Sequence, residues 1–326
     1  MAVDSPVAQL IRAHRLRPIE LLPWVVAAAA YFLASGYLPL GSQIMIMILF
    51  ALSLDLVLGY AGIVTLGQAA FFGVGAYAAG IYSVHVSGEP LSGLIVGAAA
   101  AAIVGVVSGA IILRTSGLTL LMLTLAITSL LEAAANDATA ITGGNDGLQG
   151  VAINPVLGLF DFDLYGRTAY LYCLAVLFIA WLFVRRLVHS PFGQSLVGIR
   201  ENAVRMHAIG TPVRHRLLTA YTISAALAGV AGALLTQTTQ FVGLTVLSFE
   251  RSGEIVIMLV LGGTGRIYGA FLGAAIYMIA QDQLAEADPV FWDFWIGLLL
   301  VLIVLFARGG ILGLMDRLLS MVPRRR

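Results

Sequence analysis

Long apolar stretches separated by short polar ones organise this chain. Apolar runs lie near 21–40, 43–60, 67–84, 92–113, 117–135, 168–188, 216–238, 253–264, 267–281 and 290–307. A helix needs about 20 apolar residues to cross a hydrocarbon layer of ~30 Å. Most of the runs approach that length, and they lack the alternation of half-buried strands. The pattern predicts an all-α, polytopic membrane helical bundle of about ten spans, including short or broken helices. The eighth and ninth runs are short and meet at "LGGTGRIYG" (261–269), so they read as two crossings or as one broken or re-entrant pair. The stretches "LGYAGIVTLGQAAFFGVGAY" (58–77) and "LGGTGRIYGAFLGAAIY" (261–277) are faintly alike, which fits either an internal repeat or shared Gly/Ala composition.

One polar segment interrupts the pattern, "SPFGQSLVGIRENAVRMHAIGTPVRHR" (190–216). Ser190 before Pro191 reads as an N-cap followed by proline at the first helical position. Gly210 and then Thr211-Pro212 supply a stop. Between them Leu196, Ile199, Ala203 and Met206 recur at spacings of three, four and three, while Arg200, Glu201, Arg205 and His207 fill the remainder. The spacing predicts one amphipathic helix over 191–209, too charged to cross a bilayer. Its apolar stripe suits an interfacial helix, a helix packed on its own domain, or a helix docked in a partner's groove.

Composition agrees with the pattern. The 326 residues are 60% hydrophobic and 11% charged, with a mean hydropathy of +0.96. All 18 basic residues are arginine. A P-loop requires a lysine at the phosphates, so an ATP-driven process would need an ATP-binding partner. The single Cys173 lies in an apolar run and forms no internal disulfide. Positive charge is retained on the cytoplasmic side. With ten spans and Met1 inside, sixteen arginines fall in cytoplasmic segments, and only Arg167 and Arg251 fall outside. External loops collect acids such as Glu89, Asp137, Asp146 and Glu250. That split predicts cytoplasmic termini and a cytoplasmic 190–216 segment.

Some polar groups sit within the apolar runs. An Asp at a span centre costs about 2.5–3.5 kcal/mol, and each Leu, Ile, Phe or Val returns ~0.3–0.6. Ten such residues between Ile44 and Leu58 offset Asp55, so its span still inserts. Asp55 reads either as a functional acid or as one near a span end that is protonated or paired with an arginine. Gln68 and the Thr124/Thr128 pair, one turn apart, are the candidates for lining a path, whereas most other small and hydroxyl residues suit helix packing. "TGGNDGL" (142–148) has no preceding strand and no lysine, and reads as a tight external turn. No HExxH or intramembrane-protease motif pair is present, and the five histidines lack ligand spacing. No metal, cofactor or nucleic-acid partner is expected.

Five stretches in order, "LSLDLVLGYAGIVTLGQAAFFGVGAYAAG" (52–80), "TLAITSLLEAAANDATAITGGNDGL" (124–148), "SPFGQSLVGIRENAVRMHAIG" (190–210), "SAALAGVAGALL" (224–235) and "LVLGGTGRIYGAFLGA" (259–274), resemble the M-type permeases of the Liv (branched-chain amino acid) ABC importers. The resemblance runs from about 44 to 315. It implies a bacterial inner-membrane subunit paired with a second, H-type permease, two cytoplasmic ATP-binding subunits and an external solute-binding protein, all set in membrane lipid. It implies a permease domain over 21–308, flanked by cytoplasmic segments 1–20 and 309–326. Segment 190–215 would couple to the ATPases through Leu196, Ile199, Arg200, Glu201, Ala203 and Met206, ending at Gly210. The family commonly carries Asn at the position of Asp55, and Glu and Arg at those of Ser129 and Glu132. These departures leave urea, amides or other small organic acids as alternative cargo. The alternative mechanism is an ion-coupled secondary transporter using Asp55 or Glu132.

Overall fold

The structure is a computed structural model and describes residues 22–33, 35–155, 160, 166–289, 291, 292, 294–298, 301 and 310–313. The expected segment 1–20, and most of the expected span 290–307 and tail 309–326, lie outside them. Helix α1 (Leu22–Leu33) is followed by α2 (Leu38–Asp55), which continues as a π-turn over Leu56–Tyr60. Next come α3 (Gln68–His85), α4 (Pro90–Ile112), α5 (Leu118–Asp137) and α6 (Arg167–Val188). Two short helices, α7 (Pro191–Glu201) and α8 (Ala203–Ala208), precede α9 (Val213–Thr239), α10 (Phe249–Gly262) and α11 (Ile267–Ala287).

Five helices are long and apolar enough to cross a membrane, namely α2 with its π-turn, α4, α5, α6 and α9. The α10/α11 pair, bent by 115°, counts as a sixth. This bent pair is the broken or re-entrant form of the eighth and ninth runs. The described residues therefore carry fewer full-length spans than the ten expected runs. Helix α1 has only 12 residues, about 18 Å at 1.5 Å per residue. Helix α3 reaches 18 residues but includes Gln68, three glycines and His85, which dilute its apolarity.

The core forms around α2 and α9. Every residue from Met45 to Val57 is buried, as expected of a helix that is apolar all round. Helix α9 lies against α2, α3 and α4, and small residues set that distance. A side chain at Gly232 would strike the Phe72 carbonyl, and one at Gly75 would strike the Gly229 backbone. Close backbone approach of this kind is how helices associate when solvent does not drive them together. Helix α1 is held on α6 by the Tyr170 hydroxyl, which donates to the Ala27 carbonyl (2.7 Å), and by Trp24 edge-on to Phe178 and Trp181. Cys173 is fully buried on α6, as an apolar run implied. Helix α5 is the contrast: only Leu120, Thr124 and Thr128 are buried, so one narrow stripe faces the bundle.

Two breaks shape the part of the bundle between its middle, where Gln68 reaches Ser53 and Ser224, and one end. The first spans the π-turn and the irregular residues 61–67; the second is 263–266 between α10 and α11. These are the two stretches that looked alike in sequence, and they touch. Asp55 Oδ1 accepts from the Gly265 N–H (2.7 Å), and the Tyr60 side chain bonds to the backbone of Ile267. A Cβ at Gly59 would run into Asp55 Oδ1 and into Gly265 N, so only glycine allows this approach. The Gly59 carbonyl accepts from Arg200 Nη1, and the Arg200 charge acts on Asp55. Nearby, the Leu66 N–H donates to Thr124 Oγ1 (3.4 Å), the Gly67 N–H to Thr65 Oγ1 (3.0 Å) and the Ala69 N–H to Ser252 Oγ (3.1 Å).

An unsatisfied buried donor costs about 1–3 kcal/mol. Asp55→Leu should therefore lower the unfolding temperature of the purified protein, whereas Asp55→Asn, which keeps the acceptor for Gly265, should fall well short of that loss. Gly59→Ala should destabilise as Asp55→Leu does, because its methyl displaces the same contact; differential scanning fluorimetry in detergent reads all three.

Candidate functional site

The polar segment is built as two pieces instead of the single helix the periodicity suggests. Ser190 Oγ accepts from the Gly193 N–H (3.4 Å) and Pro191 opens α7, as its capping pattern implied. The helix then stops at Asn202, whose backbone is extended (φ −159°, ψ 94°) and whose Oδ1 accepts from the Arg205 N–H (2.9 Å). Asn202 is a second N-cap, and its local side-chain bond outcompetes continued helix. The stop at Gly210 is as expected. Gly210 has φ +84°; its N–H donates to the His207 carbonyl and that of Thr211 to the Met206 carbonyl (both 3.0 Å), a Schellman closure.

Splitting the helix divides the stripe. Leu196 and Ile199 are buried, in a helix packed on α6, α9 and the π-turn. Met206 is half-buried, with its sulfur near Gly198. Arg200 reaches back to Gly59. Glu201, Ala203 and Gly210 are exposed. The apolar surface left outward is Val204 (81% exposed) and Ile209 (69%), beside a cleft of about 430 Å³ lined by Ala203, Val204, His207, Ala208 and Val213. Valine and isoleucine at these positions lie off the 3-4-3 register of a continuous helix, which is why periodicity passed over them.

The four interior candidates lie within the subunit's own packing. Gln68 Nε2 donates to Ser53 Oγ and Ser224 Oγ (both 2.9 Å), and Ser224 Oγ donates to the Ser53 carbonyl (2.6 Å). This cluster ties α2, α3 and α9 together, and Gln68 Oε1 has no partner. Thr124 and Thr128 are both buried; Thr124 supports the 61–67 break, and Thr128 Oγ1 bonds back to the Thr124 carbonyl (2.9 Å). Asp55 sits at the junction of the two breaks.

The opposite end carries the "TGGNDGL" loop. Gly143, Gly144 and Gly147 have φ of +77°, +56° and +73°, Thr142 Oγ1 caps the Ala135 carbonyl (2.5 Å), and Leu148 pairs with Val242. The tight turn is therefore as read. It also walls an open cavity of about 1090 Å³ that His85, Asn136, Asp137, Asn145, Asp146 and Gln149 help to line, a feature the sequence did not reveal.

From that end the chain descends along α3. Gly80 lies beside Val242, Gly73 beside Leu247, and Ala69 beside Ser252. Eleven residues of α3 correspond to about 16 Å. Helix α10 thus starts deep in the bundle, level with the first turn of α3. Arg251, expected in an external loop, is carried down with it. Arg251 Nη1 pairs with Glu254 Oε2 (2.9 Å), with side chains 29% and 25% exposed.

The chain matches, over residues 37–304, a family model described as the branched-chain amino acid transport system permease component. It is 28% identical over 316 residues to the high-affinity branched-chain amino acid transport system permease protein LivM of Escherichia coli K12, covering 88% of this chain and 73% of that one; the Salmonella typhimurium LivM gives the same values. A probable LivM of Methanocaldococcus jannaschii is 26% identical over 315 residues, covering 80% and 89%. No solved structure matches the chain. A helical, multi-pass membrane protein with this match over most of its length belongs to the branched-chain amino acid transport permease family, the membrane subunits of ABC importers.

Proposed function

We propose that this chain pairs with a second, H-type permease in a bacterial inner membrane and forms with it the path for a branched-chain amino acid. Two cytoplasmic ATPases would bind below, and an external solute-binding protein above. The observation that carries the reading is the 190–216 segment: a capped, arginine-rich pair of helices anchored on the bundle by Leu196 and Ile199, with Val204 and Ile209 left outward beside a cleft. Arg114, Arg185, Arg186, Arg200, Arg205, Arg214, Arg216 and Arg266 fall in or beside the connections at this end, which by charge retention is cytoplasmic; both termini are then cytoplasmic. The permease domain is 21–308 with cytoplasmic flanks. The polar cavity at the opposite end is where a binding protein would release its solute. Branched-chain amino acids are the substrate class because the names of the relatives specify them.

Docking is assigned to α8 and not to the whole stripe. A Leu or Ile that is already buried in its own subunit has no surface to offer an ATPase, whereas exposed apolar side chains beside a cleft suit a helix-in-groove contact.

Two measurements test this. In proteoliposomes holding both permeases and the ATPases, with loaded binding protein outside, uptake of leucine, isoleucine or valine should require ATP; uptake driven by an ion gradient without ATPases would overturn the reading. Val204→Asp should abolish ATPase copurification while shifting stability by no more than ~0.5 kcal/mol, as for exposed sites in general. Leu196→Asp should instead destabilise the chain itself by several kcal/mol, because it buries an unpaired charge.

A further inference from the structure

The Arg251–Glu254 pair has no role in the architecture described so far, and its depth is the unexpected feature. Three contacts fix that depth: Val242 at Gly80, Leu247 at Gly73 and Ser252 at Ala69. Ionisable groups at such a level are costly against lipid and are found facing a partner or a water-filled route. Neither side chain is sealed in the protein, and Glu250 beside them is exposed. Open space therefore adjoins a guanidinium and a carboxylate held 2.9 Å apart.

We propose that Arg251 and Glu254 form a recognition site on the translocation path for the zwitterionic end of an α-amino acid. The guanidinium pairs with the α-carboxylate through a two-pronged contact that its fork geometry favours, and the Glu254 carboxylate accepts from the α-ammonium. In the empty site the two groups neutralise one another; the substrate replaces that bond by two of the same kind, so neither charge is left uncompensated at depth. The proposal rests on the amino acid importer reading above. It adds a second selection inside the membrane for groups that every α-amino acid carries, leaving side-chain discrimination to other contacts.

The test uses the reconstituted importer with leucine-loaded binding protein at saturation, and in parallel the binding of labelled leucine to the purified permease complex. Arg251→Ala and Glu254→Gln should each lower uptake at least about tenfold, the loss of one charge-assisted contact, and should weaken leucine binding. ATPase copurification should stay at the wild-type level, which separates lost recognition from lost assembly. The double variant Arg251→Glu/Glu254→Arg keeps an i,i+3 ion pair but exchanges the two charges. It should remain folded and still fail to transport. Restored uptake in the double variant would make the pair a structural clasp and overturn the proposal, as would normal uptake and leucine binding in the single variants. If wild type proves to transport without ATPases, the importer reading falls, and the leucine-binding comparison still decides whether this pair recognises the amino acid.

Discussion

Helix broken inside a membrane bundle leaves backbone N–H and C=O groups without helical partners, and the bilayer offers none. Much of the arrangement around the two breaks of this protein follows from satisfying those groups. Asp55 serves the Gly265 N–H, Tyr60 bonds to the Ile267 backbone, Thr124 and Thr65 serve Leu66 and Gly67, Ser252 serves Ala69, and Arg200 serves the Gly59 carbonyl. Each partner comes from beyond the broken helix it serves, except Thr65, which is local. The breaks therefore bind helices together at the points where helix fails, and α2, α3, α5, α7, α10 and α11 all meet there.

The same constraint describes how the interior polar residues are held. Asp55, Gln68, Thr124 and Thr128 all stand out in an apolar sequence, and each reads as a candidate for chemistry. In the fold all four are buried within the subunit and bonded to its own backbone or side chains. The groups that keep access to open space are Arg251 and Glu254, which sequence reading assigned to the ends of an ordinary loop and span. The difference is one of depth. Hydropathy marks where a run becomes apolar, but it does not record that residues 242–252 descend along α3 before α10 begins.

Legibility differed by element for physical reasons. Caps are local, so Ser190, Pro191 and Gly210 were readable one residue at a time. Asn202 was equally local, yet the Leu196, Ile199, Ala203 and Met206 spacing ran across it and favoured one helix. Faces of the spans were harder to read. In α2 and α5 the apolar positions go all round the helix, so periodicity could not tell that α2 is enclosed on all sides from Met45 on while α5 buries only Leu120, Thr124 and Thr128. The hydroxyls marked the right stripe on α5, but whether that stripe looks towards a path or towards its own bundle depends on partners far away in sequence.

An asparagine at position 55 could accept the Gly265 N–H as well as the aspartate does, so the bond alone does not explain the acid. What the carboxyl group adds is a second oxygen in place of an amide nitrogen, and that oxygen has no hydrogen-bond partner among the described residues. Arg200 stands at the same junction, bonded to Gly59 and close enough to act electrostatically on Asp55. The attraction joins α7 to the end of α2 without a direct ion pair, and α7 is continuous through Asn202 with the outward-facing α8. Arg200 therefore links α7, and through Asn202 also α8, to the two membrane breaks, beside the direct chain connection that runs from α8 into α9.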